Sequence, residues 1–68
     1  MNRKSIGDRL RSLREKKRKT VVEVAEACGI SQSALTMYEN GERLPRDEVK
    51  IRLAKYYGRT VQTIFFAQ

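Results

Sequence analysis

Residues 20–45 read TVVEVAEACGISQSALTMYENGERLP. Two short apolar-periodic runs, VVEVAEAC and QSALTMYE, are followed by Gly29 and, after Asn40, by Gly41. A glycine just past such a run suits a helix C-terminus, where the chain turns left-handed and a side chain would be strained. Ser31, two residues beyond Gly29, can cap the next helix with its hydroxyl. Thr20 and Glu23 have the spacing of a capping box, in which each side chain satisfies the other's free backbone N–H. The stretch therefore predicts a helix over 20–28, a tight turn, and a second helix over 31–40.

The surface of that second helix is unusual. Leu35 and Tyr38, three residues apart, form its buried side with help from Ala34. The opposite side carries Gln32, Ser33, Thr36, Met37 and Asn40, at the spacing of a single face. In a chain that is 34% charged, this row has no charge. Uncharged hydrogen-bonding groups suit a face that lies against something other than water. Gln can bond bidentately to an adenine edge, Ser and Thr serve either base-pair type, and a thymine methyl suits Met. An acid here would be repelled by phosphates, and the row has none.

The same punctuation extends along the chain. Ile6, Leu10 and Leu13 form one stripe of a first helix over about 5–17. A fourth helix follows Pro45 in PRDEVKIRLAKYYG, with Asp47 and Glu48 at its positive N-terminus and Gly58 at its end. Thr60 can cap a final turn, TVQTIFF. Strand-like alternation is absent. The expectation is a single all-α domain over 1–68 with five helices, the second and third (about 20–40) forming a pair.

Composition narrows the function. At 68 residues the chain is one domain that buries only about 60% of its unfolded surface, so a partner subunit would help. No apolar run is long enough for a membrane span or a signal-peptide core. The single cysteine, Cys28, cannot form an internal disulfide, which fits a reducing cytoplasm. Its apolar position at a helix end assigns it to the core, where thiols are inert. One Cys and no His exclude the usual zinc sets. The missing histidine also removes the commonest general base, so no enzyme, metal or cofactor is expected.

The net charge is +7, and all of that excess lies in residues 1–19, which hold nine Lys or Arg and two acids. A one-sided basic field suits a polyanion, either nucleic acid or an anionic membrane surface, and equally suits a solvated helix.

The stretch over 20–45 resembles the helix-turn-helix of the phage Cro/repressor-type, or XRE, family. The shared features are Ala25, Gly29, Ile30, Leu35 and the ending YENG. The segment DEVKIRLAKYYGRTVQTIFF is similar to that family's fourth and fifth helices. The resemblance implies a compact lambda-repressor-like fold that binds double-stranded DNA. It implies base reading by Gln32 and Ser33, with Thr36 and Met37 one turn on, and a backbone contact from Asn40. Thr20 falls where the second helix meets a phosphate. Arg14 and Glu39 resemble a partly buried ion pair, with the arginine also near the DNA backbone.

Three departures stand out. Val21 replaces a Gln that contacts phosphate in the family, and Lys19 replaces an apolar residue before the cap. Arg18 and Lys19 are expected to supply the missing phosphate contacts. Arg46 replaces a capping Ser and, with Arg43, can reach along the backbone or into a minor groove. Arg3, Lys4, Arg9 and Arg11 are expected to act non-specifically, and Val21 with Val22 forms an apolar step of no assigned role.

Tyr56, Tyr57, Ile64, Phe65 and Phe66 offer more apolar bulk than one small core needs, and an isologous dimer contact is expected from them. The reading is a bacterial or phage cytoplasmic transcriptional regulator, a repressor that occupies a palindromic operator as a homodimer. No membrane or small-molecule ligand is expected, and the chain's length leaves no room for an effector domain. The alternatives are an antitoxin-type module that binds a toxin and its own promoter, and a basic protein of RNA or membrane surfaces.

Overall fold

Four α-helices and a closing π-helical turn make up the computed structural model, which describes residues 2–67. They are α1 (Arg3–Lys16), α2 (Val21–Cys28), α3 (Gln32–Glu39), α4 (Asp47–Tyr57) and the π turn (Gln62–Phe66). No strand occurs among the described residues. No helix is long and apolar enough to cross a membrane.

Helix α1 starts two residues before the expected boundary. Asn2 caps it: its Oδ1 accepts from the Ser5 N–H at 2.8 Å. Thr20 caps α2 with both halves of the capping box in place, accepting from Glu23 N at 3.1 Å and donating its own N–H to Glu23 Oε1 at 2.9 Å. Ser31 Oγ caps α3 by accepting from Ala34 N at 3.0 Å. Thr60 Oγ1 accepts from Thr63 N at 3.1 Å and so starts the last turn.

All four α-helices end in the same way. One or two residues past the last helical residue the chain turns left-handed, and two backbone bonds close the last turn. Gly29 (φ 68°), Gly41 (φ 75°) and Gly58 (φ 65°) do this for α2, α3 and α4. At the end of α1 the position belongs to Arg18, at φ 57°. Its N–H donates to Glu15 O at 3.0 Å, and the Lys19 N–H donates to Arg14 O at 3.2 Å.

The core gathers Ile6 and Leu10 of α1, Val24, Ala25 and Cys28 of α2, Leu35 and Tyr38 of α3, and Val49, Leu53, Ala54 and Tyr57 of α4. Ile64 and Phe65 close it from the π turn. Gly7, also buried, lets α1 approach the end of α3 closely. A Cβ placed there would lie 2.4 Å from Glu39 O and 2.6 Å from Tyr38 O. The Arg9 guanidinium donates to Ile64 O, which ties the π turn to α1 and gives this arginine a structural task instead of the expected non-specific one.

The C-terminal aromatics require a correction. Ile64 (0% exposed), Phe65 (2%) and Tyr57 (9%) are consumed by the protomer's own core and cannot present a surface to a partner. The wide π turn points residues 64 and 65 inward together, so this small core absorbs more apolar bulk than expected. The Tyr57 hydroxyl has no hydrogen-bond partner among the described residues. Burial pushes its ionisation well up. Of the five residues expected at a dimer contact, only exposed Phe66 and half-buried Tyr56 keep substantial surface.

Candidate nucleic-acid interface

Helix α3 is eight residues long, about 12 Å at 1.5 Å per residue. Leu35 is fully buried, Tyr38 is nearly so, and Ala34 packs partly against the core. Gln32, Ser33, Thr36, Met37 and Asn40 are all exposed and form one continuous outer face. Met37 sits at 37% exposure, so part of its thioether chain rests on the protein while the rest is available to a partner.

Arg14 holds this helix in place. Its Nε donates to Glu39 Oε2 at 2.8 Å, its Nη2 to Glu39 Oε1 at 3.0 Å, and its Nη1 to Lys19 O at 3.0 Å. The Glu39 side chain is 2% exposed and that of Arg14 16%. The bond to Glu39 raises the guanidinium's pKa. Of Arg14's two expected roles, the structure contains the ion pair; all three of its donor nitrogens are engaged inside the protein. One guanidinium thus spans the end of α3 and the residue preceding the Thr20 cap. It brings the C-terminus of α3 and the N-terminus of α2 to the same edge.

Arg18, Lys19 and Thr20 stand at that edge around the bonded Lys19 carbonyl, and Asn40 follows Glu39. Arg18, Thr20, Asn40, Arg43 and Arg46 are exposed, and Lys19 is half-buried. Thr20's backbone N–H and the acceptor side of its hydroxyl belong to the capping box. Arg46 is the N-cap residue of α4 and makes no side-chain capping bond. Val21 packs partly on the core, whereas Val22 is 41% exposed on the outer side of α2.

Arg11 was missed as a site residue. Its Nη2 donates to Asn40 Oδ1 at 2.6 Å, and its Nε lies 3.6 Å from Glu39 Oε1. The spacing of Arg11 and Arg14 on one face of α1 hints at a shared partner, but nothing local in the sequence names Glu39 and Asn40. Cys28 is buried, and burial pushes its thiol pKa up, in line with the structural role read for it.

Comparison with known proteins follows this geometry. A family model described as a helix-turn-helix domain matches residues 5–64. An HTH-type transcriptional regulatory protein of Pyrococcus furiosus is 41% identical over 51 residues, which are 75% of this chain and 16% of that protein. A crystal structure of the clp gene regulator ClgR from Corynebacterium glutamicum superposes with a TM-score of 0.84 at 31% identity, covering 91% of this chain and 66% of that one. A second ClgR crystal structure gives a TM-score of 0.80 at 31% identity, with 91% and 80% covered. The chain thus spans about a sixth of the length of the archaeal relative and about two thirds of the first ClgR chain.

Proposed function

The chain belongs to the helix-turn-helix domain family, and from that premise we propose that it is a sequence-specific, double-stranded-DNA-binding transcriptional regulator. In this reading it is a repressor that binds a palindromic operator as a homodimer and acts by occupancy in the cytoplasm. The observation that carries the reading is the uncharged outer face of α3, held by the Arg14–Glu39 pair, which also binds the Lys19 carbonyl beside Arg18. An α-helix with its side chains is about 10–12 Å across and fits a major groove about 12 Å wide, and its N-terminal residues are the ones that reach base edges.

Gln32 and Ser33 stand at that N-terminal end, with Thr36 and Met37 one turn on. Thr20, Arg18, Lys19, Asn40, Arg43 and Arg46 surround them as phosphate contacts, which set register without reading sequence. A two-fold dimer would carry two such helices about 34 Å apart into successive major grooves. Ile51 (55% exposed) and Phe66 (53%), with half-buried Val61 beside them, form the apolar surface that suits the dimer contact.

Selection of bound duplexes from a random pool tests the whole reading. A palindromic consensus is the expected result; failure to enrich any duplex sequence would sink it. Within the enriched site, Gln32→Ala should relax preference at one base pair and cost about 1–3 kcal/mol. Equal weakening on operator and random DNA would remove Gln32 from base reading.

A further inference from the structure

The side-chain amide of Asn40 sits between two charged groups of opposite sign. Arg11 Nη2 donates to its Oδ1 at 2.6 Å, and its Nδ2 donates to Glu42 Oε2 at 3.3 Å. Arg11 is itself placed by the buried Glu39 carboxylate, 3.6 Å from its Nε, and the same carboxylate is held by Arg14. A chain of contacts therefore runs from the ion pair under α3 to the exposed amide at its C-cap.

This chain settles which way the amide faces. A guanidinium can only donate and a carboxylate can only accept, so oxygen must face Arg11 and nitrogen must face Glu42. Without Arg11 the amide could turn over about its last torsion, which is soft and roughly two-fold. A phosphate oxygen only accepts. An amide that turned its oxygen outward would repel the backbone it should hold.

From this geometry we infer that Arg11 is a positioning residue that presents the Asn40 amide nitrogen to a DNA phosphate, and that Glu42 is a resident competitor for the same nitrogen. The inference rests on the DNA-binding reading above and adds a regulation of affinity to it. In free protein the Glu42 carboxylate takes one of the two N–H donors of the Asn40 amide, the one for which it competes with a phosphate. Duplex binding replaces that 3.3 Å contact with one to the backbone and leaves Arg11 on the oxygen side. Because phosphate contacts carry no sequence information, Glu42 lowers affinity for every duplex and leaves base preference unchanged.

The test is a pair of double-mutant cycles, read as binding to the selected duplex and to a random one. Arg11→Ala and Asn40→Ala should each weaken both by about tenfold, the scale of one charge-assisted contact. The double variant should be no weaker than Asn40→Ala alone, because Arg11 acts through Asn40. Additive losses would make Arg11 an independent contact and overturn its positioning role. Glu42→Gln lies on the exposed surface and does not depend on the fold tolerating the loss of Arg11. It should tighten binding to both duplexes several-fold, and most of that gain should vanish when Asn40 is Ala. An equal gain in both backgrounds would overturn the competitor role. The side-chain amide signals of Asn40 in free protein give a readout without DNA: they should shift in Arg11→Ala and in Glu42→Gln, and unmoved signals would refute the clamp. If the parent chain enriches no duplex, the DNA-binding reading fails and takes this inference with it. Enrichment with additive losses overturns the positioning role alone.

Discussion

Arg18 holds a left-handed backbone at φ 57°, where an L side chain costs about 1–2 kcal/mol. The other three α-helices place glycine at the corresponding position. A strained residue at the edge of the proposed DNA-binding surface points to a side chain kept for function. Arg18→Gly should therefore raise stability by about 1 kcal/mol, part of the gain being offset by the freer unfolded chain. The same change should weaken binding to all duplexes and lower the salt slope by about one unit. Denaturation and salt titrations check the two halves separately. Unchanged affinity would strike Arg18 from the phosphate contacts, and unchanged stability would mean the turn is not strained. At this scale the outcome is legible wherever residue type decides it. The uncharged face of α3 was legible because it depends on which atoms are present at each helical position. The left-handed arginine was not, because nothing in the run REKKRK over residues 14–19 marks one cation as the turning residue.

At the scale of elements, α1 and α3 meet through Gly7. An exposed glycine inside a helix would gain about 1 kcal/mol on change to alanine. Here the added Cβ would meet backbone at 2.4 Å, and backbone cannot step aside as a flexible side chain can. Gly7→Ala should instead destabilise the fold by about 1–3 kcal/mol, measured by chemical denaturation. A stabilised variant would show that α1 can shift off α3 freely. The start of α2 makes a different prediction. Glu23's carboxylate accepts from the Thr20 backbone N–H, and this bond, helped by the Thr20 side chain, holds its pKa below the usual glutamate value. A depressed carboxylate stabilises the fold above the ordinary value of about 4.3, and that contribution is lost as pH falls through the lowered one. Carboxylate titration by NMR should place Glu23 below 4.3, about where free Glu titrates, and Thr20→Ala should return it towards that value. A midpoint at or above the ordinary value would rule out the capping box in solution. The caps of α2 and α3 and the glycine ends of α2, α3 and α4 were legible because their partners lie three to five residues apart. The crossing of α1 on α3 was not, since Gly7 looks like any helical glycine until the opposing backbone is known.

For the whole molecule, the two adjacent phenylalanines separate core from surface. Phe65 is 2% exposed and Phe66 is 53% exposed, with Lys50 Nζ 5.1 Å from its ring centre. Phe65→Ala should cost about 3–5 kcal/mol of stability, whereas Phe66→Ala should leave the protomer nearly as stable as before. Phe66→Glu combined with Ile51→Glu should abolish self-association in sedimentation and keep the helical content. If both phenylalanines proved equally costly, the π turn would have to be packed differently. Association that survived the two glutamates would place the dimer contact elsewhere. A partner subunit has a physical motive here, because the domain measures only 27 × 23 × 22 Å and small cores leave apolar surface uncovered.

The sequence by itself determined the all-α class, the Thr20 and Ser31 caps, the glycine ends of α2, α3 and α4, and the face of α3 that meets the outside. Each of these rests on side-chain chemistry repeated within a turn or two of helix, so neighbours in the chain suffice to specify it. Only the tertiary structure decided that Tyr57, Ile64 and Phe65 belong to the core. It also decided that Gly7 carries a helix crossing and that Arg11 reaches Asn40 across 29 residues of chain. Such contacts depend on the relative placement of whole elements, which a short pattern cannot encode because the same arginine or phenylalanine fits either a surface or a packed interior.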